Sequence, residues 1–135
     1  MTIHGKKILQ KTLKIAELNH KNGDKRQRYK LGAIILHRGK IVSTGVNKRK
    51  THPIAYATRE QELHAEMDAL RKLKSKDLKG GIIFIARWRK TGPGLARPCS
   101  DCINILSKYG ITKVVYTISV SKFEDKNYSV EYLSL

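Results

Sequence analysis

The only two cysteines of the chain, Cys99 and Cys102, stand close together in the sequence PCSDC. Upstream, the stretch ELHAEMDAL contains His64 and Glu66, two residues apart. One imidazole and two thiolates provide three ligands for a single zinc ion, which leaves the fourth tetrahedral position for water or hydroxide. Three protein ligands are typical of catalytic zinc sites, whereas structural sites usually have four. Glu66 would then serve as a general acid and base.

Two other interpretations of the cysteines have to be considered. A Cys-x-x-Cys pair at the start of a helix is also typical of thioredoxin-like redox proteins. A closed structural zinc site would need a fourth ligand, for which His37 and His52 are candidates. The pairing of His64 with Glu66 favours the catalytic zinc site over both.

Hydrophobic periodicity and turn residues predict the elements that position these residues. The predicted helices cover 5–20, 63–73 and 99–109, and the predicted strands cover 32–36, 41–45, 80–87, 112–120 and 127–133. His64 and Cys99 therefore lie at the N-termini of two helices. The unpaired N–H groups and partial positive charge of such termini are expected to lower the pKa of a cysteine there.

The order of these elements predicts an α/β fold, a three-layer α/β/α sandwich with a mixed five-stranded sheet. Parallel strands need a crossover of about a dozen residues or more. The polar connector SKFEDKN is too short for one, so the last two strands should form an antiparallel hairpin. We find no internal repeat, and we expect a single domain over residues 1–135.

Charge is the unusual feature of the composition. The chain has 28 Lys and Arg residues against 11 Asp and Glu residues, a net charge of +17. Residues 25–59 contain ten basic side chains and residues 78–100 contain five, and neither stretch contains an acidic residue. Such a field attracts phosphates and polyanions. Surface charge that is merely solvated is the alternative.

Location is predicted from what the sequence lacks. It has no apolar run of the roughly 18–20 residues that span a bilayer, and its N-terminus is typical of an amphipathic helix rather than a signal peptide. The absence of a disulfide framework favours a reducing compartment. We therefore expect a cytoplasmic protein without membrane contact.

The combination H-x-E followed by P-C-x-x-C resembles the signature of the zinc nucleobase deaminases. The chain is similar to members of the cytidine and deoxycytidylate deaminase superfamily over most of its length, since LGAIILHRGKIVSTGVN, the HAE helix, the apolar strand and the PCSDC helix occur in the family's order. The resemblance implies that His64, Cys99 and Cys102 hold zinc and that Glu66 transfers protons during hydrolytic loss of ammonia from a base.

The resemblance also implies contacts to the substrate. Asn47, in Gly45-Val46-Asn47, matches the family's G-x-N asparagine that contacts sugar or base, and the backbone of Ala65 should orient the base. His52 lies in a loop expected to face the pocket. Trp88 could stack on a base or cap the core at a strand end. Arg97 ends the basic loop beside the metal site and is a candidate phosphate contact.

The resemblance leaves the substrate open. Free cytidine deaminases typically have cysteine as the first ligand, whereas deoxycytidylate and tRNA deaminases have histidine, as at His64. The latter two usually have a parallel last strand, from which the predicted hairpin departs. We expect a cytosine nucleotide or nucleoside as substrate, and the rival is single-stranded DNA or RNA, bound through the basic loops, with cytosine or tRNA adenine as its target. A non-catalytic nucleic-acid-binding protein with structural zinc is a third possibility. Homo-oligomers, common in the family, are possible.

Overall fold

A computed structural model describes residues 1–23, 29–48, 63–74, 77–118 and 128–133. His52 and the SKFEDKN connector lie outside the described residues. The described residues form nine helices and strands. Their order is α1 (Ile3–Asn22), β1 (Lys30–His37), β2 (Lys40–Val46), α2 (Ala65–Arg71), β3 (Gly81–Arg89), β4 (Gly92–Gly94), α3 (Ser100–Lys108), β5 (Ile111–Thr117) and β6 (Tyr128–Tyr132).

The strands form one mixed sheet. Its order is β2-β1-β3-β5-β6, and β4 pairs with the end of β3. β3 and β5 are parallel, and the other pairs are antiparallel. The mixed sheet and the antiparallel pairing of the last two strands are confirmed. The short sixth strand β4 was not predicted, because Gly-Pro-Gly has no side-chain alternation from which a strand could be inferred.

Helices cover both faces of the sheet, as predicted. On one face α1 packs through Ile8 and Leu9 against Ile34, Phe84 and Val115. The other face carries α2 and α3. It forms the larger core, whose members include Ala33, Ile35, Met67, Leu70, Ile83, Ile85, Leu106 and Val114. Successive strand residues point to opposite faces, so the apolar run in β3 supplies both cores and lies at the centre of the sheet.

The path of the chain brings the N-termini of α2 and α3 to one edge of the sheet. α3 connects the parallel strands β3 and β5, and α2 precedes β3, so both helices lie on the same face. Gly45 lets α2 approach β2 closely, because a Cβ at this position would lie 2.3 Å from the carbonyl oxygen of Ala65. Within the described part of the chain, no helix is both long and apolar enough to cross a membrane.

Candidate metal and catalytic site

Two helix N-termini provide the candidate metal ligands. His64 is the N-cap of α2, and Cys99 is the N-cap of α3, where its Sγ accepts a hydrogen bond from the Cys102 N–H at 3.5 Å. His64 Nδ1 lies 3.1 Å from Cys102 Sγ. The three ligand atoms all lie within 4.8 Å of one another. The residues predicted as metal ligands are therefore brought together.

The arrangement of these three side chains fits zinc. Tetrahedral zinc, with bonds of about 2.0–2.1 Å to nitrogen and 2.3 Å to sulfur, places its ligand atoms roughly 3.5–3.8 Å apart. One histidine and two cysteines are a ligand set found in catalytic zinc enzymes. His37, once a candidate fourth ligand, lies at the far end of β1 and contacts the Lys79 carbonyl oxygen at 3.2 Å. Among the described residues the set is thus a three-ligand site.

The pKa of Cys102 is shifted in the direction opposite to the lowering expected at a helix N-terminus. Burial raises the pKa of the Cys102 thiol well above its ordinary value, and the neighbouring Glu66 carboxylate and Cys99 add to the rise. The Cys102 side chain is fully buried, and desolvation is the largest cause of the rise. A divalent cation among these groups would reverse the balance, because it stabilises both thiolates.

Glu66 lies beside the metal ligands in a cavity of about 230 Å³. Its described lining consists of Tyr29, Leu31, Asn47, His64, Ala65, Glu66, Ala96, Arg97, Pro98 and Cys99. Only 3% of Glu66 is exposed, which is unusual for a carboxylate. The cavity therefore combines a candidate metal site with a carboxylate withdrawn from bulk solvent.

Asn47 lines the cavity and also holds its wall together. Its Oδ1 accepts hydrogen bonds from Asn19 Nδ2 at 2.8 Å and from the Leu31 N–H at 2.9 Å, and its Nδ2 donates to the Tyr29 carbonyl oxygen at 2.7 Å. These bonds join the end of β2 to α1 and to the start of β1. The amide thus has a scaffold role that the sequence pattern did not indicate.

Arg97 is fixed at the rim of the cavity. Its Nε donates to Glu131 Oε1 at 2.7 Å, and the Tyr116 hydroxyl donates to the same oxygen at 2.9 Å. The hydrogen bond from Arg97 lowers the pKa of Glu131, with Tyr116 assisting. The sequence pattern did not indicate this polar contact of Tyr116.

Thr117 holds the segment that leads from β4 to Cys99. Its hydroxyl donates to the Gly94 carbonyl oxygen at 2.7 Å and accepts from the Arg87 N–H at 3.2 Å. Its own carbonyl oxygen accepts from the Ala96 N–H at 2.9 Å. The end of β5 therefore fixes the approach to the first turn of α3.

Two predicted substrate contacts are not part of the described cavity lining. Alternation along β3 puts Trp88 on the α1 face of the sheet, opposite to the face that carries α2 and α3. His52 lies outside the described residues.

Sequence reasoning had missed Tyr29, which lines the cavity and whose ring lies 4.2 Å below the guanidinium of Arg87. In the sequence, Arg87 and Arg89 are two residues apart in β3. This spacing indicates that both side chains lie on the face of the sheet that carries α2 and α3.

Asp68 ties α2 to the end of β2. This fully buried carboxylate accepts from the Val46 N–H at 3.0 Å and forms ion pairs with Arg71 at 2.7 Å, Lys72 at 3.2 Å and Lys48 at 3.3 Å. Burial opposes its ionisation, but these donors outweigh burial and lower the pKa of Asp68. The signal in the sequence was an acidic residue within the otherwise apolar MDAL turn.

A family model, the cytidine and deoxycytidylate deaminase zinc-binding region, matches residues 6–118. Among solved structures, the chain is similar to the apo dCMP deaminase of cyanophage S-TIM5, with 25% identity, a TM-score of 0.56, and coverage of 91% of this chain and 90% of that chain. The structure of that enzyme in complex with dCMP and dUMP matches at 23% identity with a TM-score of 0.58, over 89% of this chain and 85% of that chain.

The fold is also shared with a more distant enzyme. The cytidine deaminase of Burkholderia pseudomallei is 16% identical, with a TM-score of 0.57 and coverage of 98% of this chain and 93% of that chain. A comparison with curated protein sequences gives no significant match.

Proposed function

This chain belongs to the cytidine and deoxycytidylate deaminase family, and we propose that it converts cytosine to uracil in a free nucleotide or nucleoside, with zinc as cofactor. The observation that carries the proposal is the grouping of His64, Cys99 and Cys102 around one wall of a cavity that also holds the buried carboxylate of Glu66. The reaction consumes one water molecule and releases one ammonia molecule.

Glu66 carries out the proton transfers of the proposed reaction. When bound by His64, Cys99 and Cys102, zinc supplies the Lewis acidity that activates water at neutral pH. Glu66 accepts the proton of the attacking water and delivers it to the ring nitrogen. It then takes the proton of the hydroxyl that has added to the base and passes it to the departing amine, so the same carboxylate acts as base and as acid in turn. Burial of Glu66 keeps these protons within the cavity.

The cavity wall orients the base in this proposal. Ala65 is the first residue of α2 and lines the cavity, so its backbone lies beside both His64 and Glu66. Asn47, directly after β2, lines the same cavity. The hydrogen bonds of Asn47 to α1 and β1 make it a rigid part of the wall, which limits the positions that a bound sugar can take.

Arg97 in the cavity wall and Arg87 beside the cavity residue Tyr29 favour a nucleotide over a nucleoside. Arg97 lines the cavity, and its Nε donates to Glu131, which holds the planar guanidinium in place for a ligand. Arg87 stacks on the cavity residue Tyr29, and among the described residues its buried Nε has no hydrogen-bond partner. Guanidinium groups in such positions bind phosphate through paired hydrogen bonds.

The catalytic assignment is tested with Glu66→Gln. We expect a loss of about 10²–10⁴-fold in the rate of uracil formation, the range for removal of a general acid or base. Bound zinc, measured by elemental analysis, should stay at one ion per chain. Glu17→Gln is the matched control, because Glu17 lies on α1, on the other face of the sheet. Unchanged deamination by Glu66→Gln would refute the assignment.

The substrate is tested by incubating the zinc-loaded protein with dCMP, deoxycytidine, cytidine and a cytosine-containing single-stranded oligonucleotide. Arg97→Gln should raise KM for dCMP about tenfold and leave KM for deoxycytidine unchanged, since one charge-assisted contact is lost. Arg38→Gln, in the β1–β2 turn, is the control. Uracil formed only from the oligonucleotide would refute the free-nucleotide proposal and favour a polynucleotide deaminase.

A further inference from the structure

The outer surface of α1 carries four lysines on one side of the helix. Lys7, Lys11, Lys14 and Lys21 are all exposed, and they follow one another at intervals of four, three and seven residues. At 3.6 residues per turn, these intervals place them within roughly a quarter of the helix circumference. We name this set the α1 lysine face.

The α1 lysine face points away from the body of the protein. The buried residues Ile8, Leu9, Thr12 and Ala16 lie on the opposite side of α1 and pack toward the sheet. α1 lies on one face of the sheet, whereas α2 and α3, whose N-termini hold the candidate metal ligands, lie on the other. A ligand on the α1 lysine face therefore binds on the opposite face of the sheet from the candidate metal ligands.

Charge on α1 is poorly balanced. Glu17 is the only acidic residue of the helix, and it pairs with Lys14 at 3.3 Å and with Lys21 at 3.7 Å. Lys7 and Lys11 are one turn apart, where like charges destabilise a helix. Among the described residues no acidic side chain pairs with Lys7 or Lys11, so the N-terminal half of this face presents positive charge to solvent.

We infer that the α1 lysine face binds the phosphate backbone of nucleic acid, independently of deamination. From Lys7 to Lys21 the face extends about 21 Å at a rise of 1.5 Å per residue, which is long enough to meet several phosphates. Lysines act as point charges that suit contacts without base specificity. An anionic membrane fits less well, because interfacial helices insert an apolar face and that of α1 is covered by the sheet.

The test measures binding of a fluorescein-labelled 20-nucleotide oligo(dT) by anisotropy from 50 to 300 mM NaCl. The probe contains no cytosine. One variant changes the α1 lysine face to glutamine. Its matched control changes four exposed lysines outside α1, Lys40, Lys74, Lys79 and Lys108, to glutamine. Each variant loses four positive charges, so the pair separates the position of the charge from its total.

We expect the α1 variant to bind at least tenfold more weakly at 100 mM NaCl and the control to stay within threefold of the parent. The slope of log K against log salt should become shallower by about 2–3 in the α1 variant, since each lost phosphate contact on a single strand contributes about 0.7. Equal losses in both variants, or no loss in the α1 variant, would overturn the inference.

Two further measurements complete the test. The double variants Lys7→Gln/Lys11→Gln and Lys14→Gln/Lys21→Gln should each lose part of the affinity, and thermal unfolding verifies that every variant is folded. Vesicles containing 30% phosphatidylserine are the alternative ligand. Tighter binding to these vesicles than to oligo(dT) would replace the nucleic-acid proposal with a membrane one.

Discussion

Asp68 is a buried carboxylate whose contacts extend from α2 to the end of β2. The Val46 N–H and the cations of Arg71, Lys72 and Lys48 surround it, while its side chain is fully buried. Its neighbour Glu66, two residues earlier, lines the cavity instead. Two acidic residues on one helical turn therefore differ in role because one faces a set of cations and the other faces the cavity.

Asp68→Asn should destabilise the protein by about 2 kcal/mol. Breaking a buried ion pair typically costs about 3–5 kcal/mol, but here the cations are partly exposed and water can solvate them. Urea unfolding at pH 7 measures the difference. Glu17→Gln, which removes only surface pairs, should change the stability by less than about 0.5 kcal/mol. Equal effects of the two substitutions would contradict the structural role of Asp68.

The contribution of Asp68 depends on pH. Its pKa is lower in the folded protein than in the unfolded chain, so the stabilisation is complete above the unfolded pKa of about 3.9. It is lost as the pH falls through the lowered folded-state pKa. The stability difference between the parent and Asp68→Asn should therefore be constant from pH 5 to 7 and shrink below about pH 4. A difference that grows on acidification would contradict the sign of the shift.

At the scale of elements, local patterns were enough to predict most of the fold. The apolar periodicity of α1 and the uninterrupted apolar run of β3 identify their elements, and the short connector before β6 excludes a parallel last strand. The grouping of His64 with the two cysteines in one metal site was predicted from the sequence spacing and the family resemblance. Contacts distant in sequence could not be predicted, such as that of Arg97 with Glu131, 34 residues later.

The β1–β2 turn is a two-residue hairpin loop whose central residues both have positive φ. Arg38 has φ 54° and Gly39 has φ 76°, and His37 pairs with Lys40 across the turn. Type I′ turns need this backbone conformation, which favours asparagine followed by glycine. Arginine at the first position is therefore a strained choice, because a side chain with Cβ rarely adopts it.

Arg38→Asn should stabilise the protein by about 0.5–1 kcal/mol, since asparagine adopts positive φ more readily. Gly39→Ala should destabilise it by about 1 kcal/mol. A Cβ at Gly39 would meet no atom within 4 Å, so that cost comes from the backbone alone. Denaturant midpoints of both variants measure the effects. Destabilisation by Arg38→Asn together with stabilisation by Gly39→Ala would show that the turn is not of this type.

At the scale of the whole molecule, zinc should couple the two helices to the stability of the fold. The ligands come from α2 and α3, and a ligand that binds only the folded state stabilises it by about 2.7 kcal/mol at 100 times its Kd. Removing zinc with dipicolinate should lower the melting temperature by about 10 °C for a chain of this size, and added zinc should restore it. Cys102→Ser should respond little to the chelator, and an equal response would place the stabilising metal elsewhere.

The net charge of +17 should make stability depend on ionic strength. Compaction brings like charges together, and salt screens their repulsion with a Debye length of about 10 Å at 0.1 M. The melting temperature of the zinc-loaded protein should therefore rise by several degrees between 20 and 300 mM NaCl. This rise corresponds to roughly 1 kcal/mol in the free energy of unfolding. Replacing the α1 lysine face with glutamine should flatten this rise, and sucrose at matched osmolality separates screening from general solute effects. A melting temperature that falls with NaCl would mean that attractive ion pairs, such as those of Asp68, outweigh the repulsion.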